Sequence, residues 1–537
     1  MSINNIRIGN LLCLILIFSG FRLHAQESEA LRVYNSFENI EFKQAWTQSD
    51  NAAGMVFNKS EEHSTFNAFY DYQQGEYKNY NVAPKIDAYG LNTESYKSVN
   101  NFYLYGNITY KYGTDYDQAW RGTVDPESVI TPVVDSIPGR VVGDYYDIQT
   151  KVGYRANDRF SYGVAFDYQL QNIAKQRDGR NENYRSYLNV APGVAYNSGL
   201  ITFGLNLSYK RDIEHVDYDF VGDSYGYKLH YFEGLFFYTS STISTSTMDQ
   251  RWYFKNYYGG AAQVELKLSS FSFLNELSYD MMKQNSYQDN NRGNRFNCVD
   301  GFTYDYTGTM LLRGDAIDNR VILKVVSDKQ NSYNVYSIYE AVEGENNTYH
   351  YYEYGETLQY IESSTYYGID YRGALKRDRY SNLWGLNAGF NYLSTYKRYK
   401  YHPTDVWQDC NQSQLYVGVD KNCRIGDRSV VDVKLTYINS CGDGVMIDGD
   451  NYHTEGSLIQ NQSLLEQDFA YKTAKTNSIA ASLKYTFITS PQRAESAYIK
   501  IDATYTKVSD PNIVCQYFSG YDNTHRGLVC CTLGLNF

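Results

Sequence analysis

Acidic and basic side chains recur two positions apart along this chain: Asp147, Gln149 and Lys151; Glu265 and Lys267; Asp370 and Arg372; Asp432 and Lys434; Lys500 and Asp502. On an extended strand, residues i and i+2 share a face, so each couple can pair along one strand or across to the next. Such residues form a polar wall of balanced sign, either stiffened by salt bridges or serving as a path for a solute. Strong ion selectivity does not follow from it. Other chemistries are poorly represented. The histidines after the first 25 residues (His63, His215, His230, His350, His402, His453 and His525) read mostly as loop residues, and there is no HExxH, GxSxG or phosphate-cradling glycine loop. Cys298, Cys410, Cys423, Cys441, Cys515, Cys530 and Cys531 match no zinc or haem spacing, and an odd number cannot pair completely within one chain. Adjacent Cys530 and Cys531 point to opposite faces of a strand. The acidic stretch Asn439 to Asp468 holds Asp443, Asp448, Asp450, Glu455, Glu466 and Asp468 but has Ile459 where a calcium loop needs Glu, so it reads as a solvated loop. No catalytic, cofactor-binding or metal-binding residue is assigned.

The elements that must position the charged couples have period two. In Phe102 to Tyr112 the residues Phe102, Leu104, Ile108, Tyr110 and Tyr112 form an apolar phase, and Tyr103, Tyr105, Asn107, Thr109 and Lys111 a second one. The pattern returns at Phe160 to Leu170, Ile201 to Tyr209, Val431 to Tyr437 and Ala497 to Tyr505. Runs of about 10 residues suit a tilted strand crossing a bilayer. Connections alternate in length: Ala156 to Asp158, Asn197 to Gly199 and Ser269-Ser270 are tight turns. Thr114 to Gly143, Arg211 to Gln250, Asp328 to Glu362 and Asn439 to Ala474 are long and polar. Short turns at one end and long loops at the other are the layout of a transmembrane antiparallel up-and-down β-barrel. The expected number of strands is 18, or 16 if the first hairpin (Phe66 to Tyr72 with Lys85 to Leu91) stands outside the wall. Pro192, in the lipid-facing phase of Leu188 to Tyr196, suggests a bulge.

Composition agrees. The 537 residues include 58 Tyr, 25 Phe and 5 Trp, with only 8 Pro and 20% charged residues, a tyrosine load far above ordinary usage. Tyr110, Tyr112, Tyr168, Tyr209, Tyr279, Tyr392, Tyr437 and Tyr505 fall near the far ends of the apolar phases, as an interfacial aromatic girdle requires. Phe537 ends an apolar phase Val529, Cys531, Leu533, Leu535, resembling the terminal signal read by barrel-assembly machinery. Residues 1–25 have Arg7, the apolar run Leu11 to Phe18 and Ala25 at the expected cleavage site, the pattern of an export signal. The net charge of −12, about −14 without that segment, disfavours a nucleic-acid partner and leaves outer-membrane lipid and lipopolysaccharide as the surroundings. Residues 26–63 lack the alternation. Within them Ser36 to Trp46 has the spacing of a short amphipathic helix, and the whole segment 26–63 is expected to form a periplasmic or lumenal partial plug for a barrel spanning 64–537. Three prolines cluster with Trp120 in Asp117 to Pro138, as in an ordered loop over the pore.

Trp46, Asn51 to Met55 (NAAGM), Tyr89 to Lys97 (YGLNTESYK), Tyr103 to Tyr112 and Thr131 to Ser136 resemble an uncharacterised family of Bacteroidota outer-membrane β-barrels, over nearly the whole chain after the signal. The resemblance implies an outer-membrane location, a barrel fold and association with TonB-dependent uptake systems; it brings no catalytic residues. The leading functional reading is a non-enzymatic pore or accessory for small-solute uptake. The alternative is a barrel that anchors docking loops for a surface lipoprotein or a TonB-dependent transporter. Exposed aromatics such as those in Asn347 to Tyr354 (NTYHYYEY) are the expected contact surface.

Overall fold

The computed structural model describes residues 34–57, 62–177, 179–219, 227–243, 249–288, 293–342, 348–378, 380–400, 405–426, 428–447, 458–490, 495–510 and 516–537. The expected export signal, with Cys515, His402, His453, Asp448, Asp450 and Glu455, lies outside them. The described residues open with a short helix α1 (Phe37–Lys43) and two 3-10 turns (Ala45–Thr47 and Ala52–Phe57). It continues with β1 (His63–Gly75), β2 (Lys85–Val99), β3 (Phe102–Gln118), β4 (Val133–Asp135), β5 (Gly139–Arg155), β6 (Phe160–Lys175), β7 (Arg180–Asn197) and β8 (Ile201–Asp219). Then come β9 (Tyr227–Gly234), β10 (Phe237–Ile243), β11 (Asp249–Lys267), β12 (Phe271–Gln288), β13 (Asn294–Arg313), β14 (Ile317–Ala341) and β15 (Tyr349–Lys376). The last part holds β16 (Asn382–Lys400), β17 (Asp405–Ile425), β18 (Ser429–Ile447), β19 (Ile459–Gln460), α2 (Gln462–Thr473), β20 (Lys475–Ser490), β21 (Glu495–Asp510) and β22 (His525–Asn536).

Eighteen of these strands form one antiparallel sheet, and β1 pairs with both β2 and β22, which closes it. The first hairpin is therefore in the wall and the 16-stranded alternative falls away. The alternation in β8 shows the logic: Leu205 and Leu207 are 55% and 66% exposed, whereas Asn206 between them is 2% exposed. Apolar side chains point out and polar ones point into the lumen, the inverse of a water-soluble barrel. An apolar outer band on a sheet without edges satisfies every backbone group in hydrocarbon. The protein is a membrane-spanning β-barrel of the outer-membrane type.

The short turns are built by local chemistry. Asn157 Oδ1 accepts the amides of Arg159 and Phe160, both at 2.9 Å. Asn197 Oδ1 accepts the amide of Gly199, whose φ of +98° lies where glycine is favoured. Around Pro192 no bulge forms. Val190 pairs with Tyr209 and Gly193 with Asn206 in one unbroken register, so the missing amide leaves a gap in the ladder without shifting it. Two long connections differ from expectation as well. Most of Asp328 to Glu362 is ladder, because β14 and β15 continue past the membrane while their tyrosines keep the alternation and stack across strands. Tyr339 lies 5.3 Å from Tyr349 and 4.7 Å from Tyr351. Arg211 to Gln250 likewise extends β8 and then forms the β9–β10 hairpin. The histidines read as loop residues mostly stand on strands: His63, His215, His230, His350 and His525. Cys530 and Cys531 face the lumen and the lipid, respectively, and the six described cysteines are free.

β4, β9, β10 and β19 form a separate four-stranded sheet. It comes from three different long connections and, with α2, fills the extracellular mouth. Tyr218 and Tyr253, lumen-facing on the upper ends of β8 and β11, donate to the carbonyls of Val133 and Thr131 at 2.9 and 3.1 Å. Leu235, Phe237, Tyr360, Tyr399, Val406 and Leu465 make an apolar core between this cap and the wall.

Candidate functional site: a lumen closed by a plug and a cap

The N-terminal segment 34–57 lies inside the barrel and follows the inner wall. Ser36 caps α1 by accepting the Asn39 amide, and Glu38 and Lys43 stand at the helix ends that suit their charges. From α1 the chain passes β14 and β13, where Arg320 and Arg313 donate to the carbonyls of Glu41 and Lys43, each at 2.9 Å. Trp46 reaches β11: its Nε1 donates to Glu265 Oε2 at 2.7 Å and its ring is 1% exposed. Ser49 donates to Glu276 on β12. Asn51 donates to Gln263 Oε1 at 2.9 Å and to the Val194 carbonyl at 3.2 Å. Ala53 accepts from Ser161 at 2.8 Å, and Arg155 reaches the Val56 carbonyl at 2.8 Å.

Lumen-facing glycines make room for this path. A Cβ at Gly163 would stand 2.3 Å from the Ala53 amide nitrogen, and one at Gly193 would stand 2.2 Å from Asn51 Oδ1. These glycines, with Arg155, Arg313 and Arg320, are site residues that strand periodicity does not single out. The available signal was the excess of glycine in the lumen phase of consecutive strands.

All ten predicted lumen residues lie in the inward phase, but the couples pair along the strand only once, at Lys500 and Asp502 (2.9 Å). Elsewhere the cations turn to the plug. Lys151 donates to the carbonyl of Ser49 at 2.7 Å, while Asp147 accepts from Gln149 at 2.9 Å. Arg372 and Lys434 both pair with Glu38, at 2.8 and 3.7 Å. Asp370 accepts from Tyr416, and Asp432 accepts from Asn422 at 2.6 Å. Glu265 is taken by Trp46 and Ser272, and Lys267 is left exposed at the periplasmic rim. Side chains two apart on a strand start about 6.6 Å apart, so a plug carbonyl or carboxylate projecting between them is the nearer partner. Burial acts to raise the Glu38 carboxyl, but Arg372, Lys434 and Lys500 outweigh it and hold it below its ordinary value.

The predicted girdle tyrosines all face outward, and several are tied to a polar residue of the neighbouring strand one or two steps nearer the extracellular end. Tyr110 donates to Asp144 (2.8 Å), Tyr209 to Asn256 (2.9 Å), Tyr392 to Asn411 (3.0 Å) and Tyr437 to Asn477 (2.5 Å). Rings lie in the apolar band and hydroxyls point to a polar collar above it, so the collar marks the outer membrane interface. Tyr112 packs on Tyr89, Tyr279 on Tyr304 and Tyr505 near His525; Tyr168 lies beside Phe166. At the opposite rim Phe102 meets Tyr154 and Phe160 meets Tyr196, and Phe537 is 58% exposed there.

The acidic stretch Asn439 to Asp468 is not all solvated. Glu466 and Asp468, on α2, are buried in the cap: Glu466 accepts the amides of Gln516, Tyr517 and Phe518 at 3.0, 2.7 and 2.8 Å. Asp468 accepts from Asn79 and Lys472, both at 2.8 Å. Buried carboxylates need such donors, and the loops supply them. The loop Asp117 to Pro138 is ordered and holds Val129, Val133 and Val134 in cap cores. Its Asp135 forms a buried ion pair with Lys175 of the wall, both side chains 4% exposed.

Among solved structures, the chain is similar to the RagAB peptide transporter (7% identity, TM-score 0.40, covering 88% of this chain and 86% of that one). It is also similar to the outer membrane transporter YddB from Escherichia coli (8%, 0.39, 88% and 81%) and to BauA, the ferric preacinetobactin receptor from Acinetobacter baumannii (8%, 0.38, 89% and 80%). No curated protein matches. The model of a family of unknown function (DUF6850) matches residues 52–537, the whole barrel and the end of the plug, and the chain belongs to that family.

Proposed function

We propose that this barrel is a non-enzymatic, gated route for uptake of a small polar solute, acting alone or beside a TonB-dependent transporter. The observation carrying the reading is a polar lumen with a segment of the chain's own N-terminus along its inner wall and a folded cap in its mouth. A purely structural wall would need neither. The plug is held by polar contacts to carbonyls and carboxylates, which water or a solute can replace, and by two separate apolar patches, Met55 and Val56 against Tyr96 and Tyr103 and Trp46 against Leu274 and Leu311. Conductance in planar bilayers tests this: removing residues 26–57 from the mature protein should raise single-channel conductance severalfold, and equal conductance would overturn the reading.

A second reading has its own observation. Most of β14 and β15, of 25 and 28 residues, stands above the membrane, since about 10 residues cross it. That hairpin exposes Tyr339, Tyr352 and Tyr354 at 58%, 47% and 67%. Aromatic side chains on a rigid arm suit contact with a surface lipoprotein. In this case liposomes show no solute flux, and a lipoprotein co-purifies only while those tyrosines are present.

A further inference from the structure

We propose that the cleft between α1 and the wall strands β15 to β21 is a binding site for a small hydroxylated monocarboxylate, and that Glu38 occupies the carboxylate position when no solute is bound. Solute binding and plug seating then compete for the same cations. The gating half of this inference rests on the uptake reading above; the binding half does not.

The cleft has a volume of about 260 Å³ and is lined by both plug and wall. Glu38 projects into it from α1 and, although deep inside the barrel, its side chain is 57% exposed to lumenal water. Among the described residues Glu38 is the sole ion-pair partner of Arg372 and of Lys434. A third cation of the cleft, Lys484, makes no ion pair there and rests 4.1 Å from the Tyr498 ring centroid. The plug adds a ring contact of its own, since Arg372 also lies 5.1 Å from Phe42 of α1. Withdrawal of α1 would therefore leave Arg372 and Lys434 facing water without their ion-pair partner, with Asp420 and Asp432 as the nearby wall carboxylates, and a solute carboxylate can take up the charge-assisted contacts that Glu38 relinquishes.

The rest of the lining limits the ligand. Asp432 and Asp502 are engaged by Asn422 and Lys500, and Asp420 completes the acids of the cleft. These three carboxylates disfavour a polyanion, and Asp420 suits a hydroxyl donor. One carboxylate with hydroxyl groups fits both demands. Because the solute and Glu38 exclude each other, binding shifts the plug toward release by the differential affinity alone.

Gluconate titrated into the full-length protein in detergent, followed by calorimetry, is the test. Wild-type protein should bind it. Glu38→Gln, which removes the internal competitor, should bind about tenfold more tightly, within the usual range for coupled sites. Lys484→Gln leaves both Glu38 ion pairs, with Arg372 and Lys434, in place and should weaken binding about tenfold. Absence of binding to all three proteins, equal affinity in all three, or the same heat from chloride at matched ionic strength would overturn the site. Conductance separates this from the uptake reading. Binding with the expected order but no conductance after plug removal leaves the site standing and removes the uptake role, whereas conductance without gluconate binding does the reverse.

Discussion

Trp46 anchors the plug through three unlike contacts: the hydrogen bond from its indole nitrogen to Glu265, a pocket of Leu274 and Leu311, and Gly54 against its ring face, where a Cβ would come within 1.8 Å of Cε3. Trp46→Ala removes the ring and leaves Glu265 buried with Ser272 as its remaining donor. The expected loss of plug seating is about 3–5 kcal/mol, read as rapid protease cleavage within residues 34–57 while the wall still resists unfolding by heat in detergent. Protease resistance equal to wild type would show that the ring is not the anchor. At the cap, Lys175→Met leaves the Asp135 carboxylate buried without its cation. Removing one member of a buried pair costs about 3–5 kcal/mol, so hydrogen exchange in Val133–Asp135 should rise sharply; Asp135→Asn combined with Lys175→Met should recover part of the protection.

Groups within the cap differ in how they respond to pH. In the cap, burial pushes the His230 imidazole below its ordinary value, with Asp135 opposing and Lys228 adding to the shift. Its ring nitrogens stand 2.9 and 3.3 Å from the hydroxyls of Ser240 and Ser136. The folded cap thus binds the proton less readily than the unfolded chain does. The His230 contribution is complete above about pH 6.5 and is lost as pH falls through the lower folded value. For Asp468 burial acts upward, but Lys472 and Lys397 outweigh it and hold the carboxyl below its usual range, so its contribution outlasts that window. Hydrogen exchange corrected for intrinsic rate should increase in β9 and β10 between pH 7.5 and 5 while β12 to β14 stay protected, and His230→Gln should flatten the change. These elements also show what was legible in the sequence. Period two exposed the wall and its lumen phase, and helical spacing in Ser36 to Trp46 exposed the short helix. The cap sheet was hidden because β4, the β9–β10 hairpin and β19 come from three separate connections, each too short to carry a pattern. The charged couples were visible as residues but not as partners, since Glu38 and the carbonyl of Ser49 reach them from a segment with no strand periodicity. Pro192 misled because a ladder on a two-sided wall tolerates one missing amide without changing register.

For the molecule as a whole, closure depends on the first and last strands meeting. Ser64 and Phe537 exchange both backbone hydrogen bonds at 2.9 Å, and β1 and β22 pair from Thr65↔Asn536 to Gly75↔Arg526. Phe537→Asp puts a charge where an exposed ring meets the inner rim of the bilayer. The expected result is a severalfold drop in heat-modifiable, membrane-assembled barrel, measured by gel mobility, without change in the conductance of the molecules that do assemble. An unchanged yield would mean that the seam and not the terminal ring governs assembly.

That seam carries adjacent thiols on its two sides, Cys530 inward with its sulfur 3.7 Å from the Thr532 hydroxyl and Cys531 outward. The barrel therefore contains its own hydration reporter. A charged, water-borne maleimide attacks a thiolate, which forms at Cys530 as far as the lumen is wetted and does not form at Cys531 in hydrocarbon. In a background with the other cysteines replaced, labelling that disappears in Cys530→Ser reads the wetness of the channel in intact cells, without knowing what passes through.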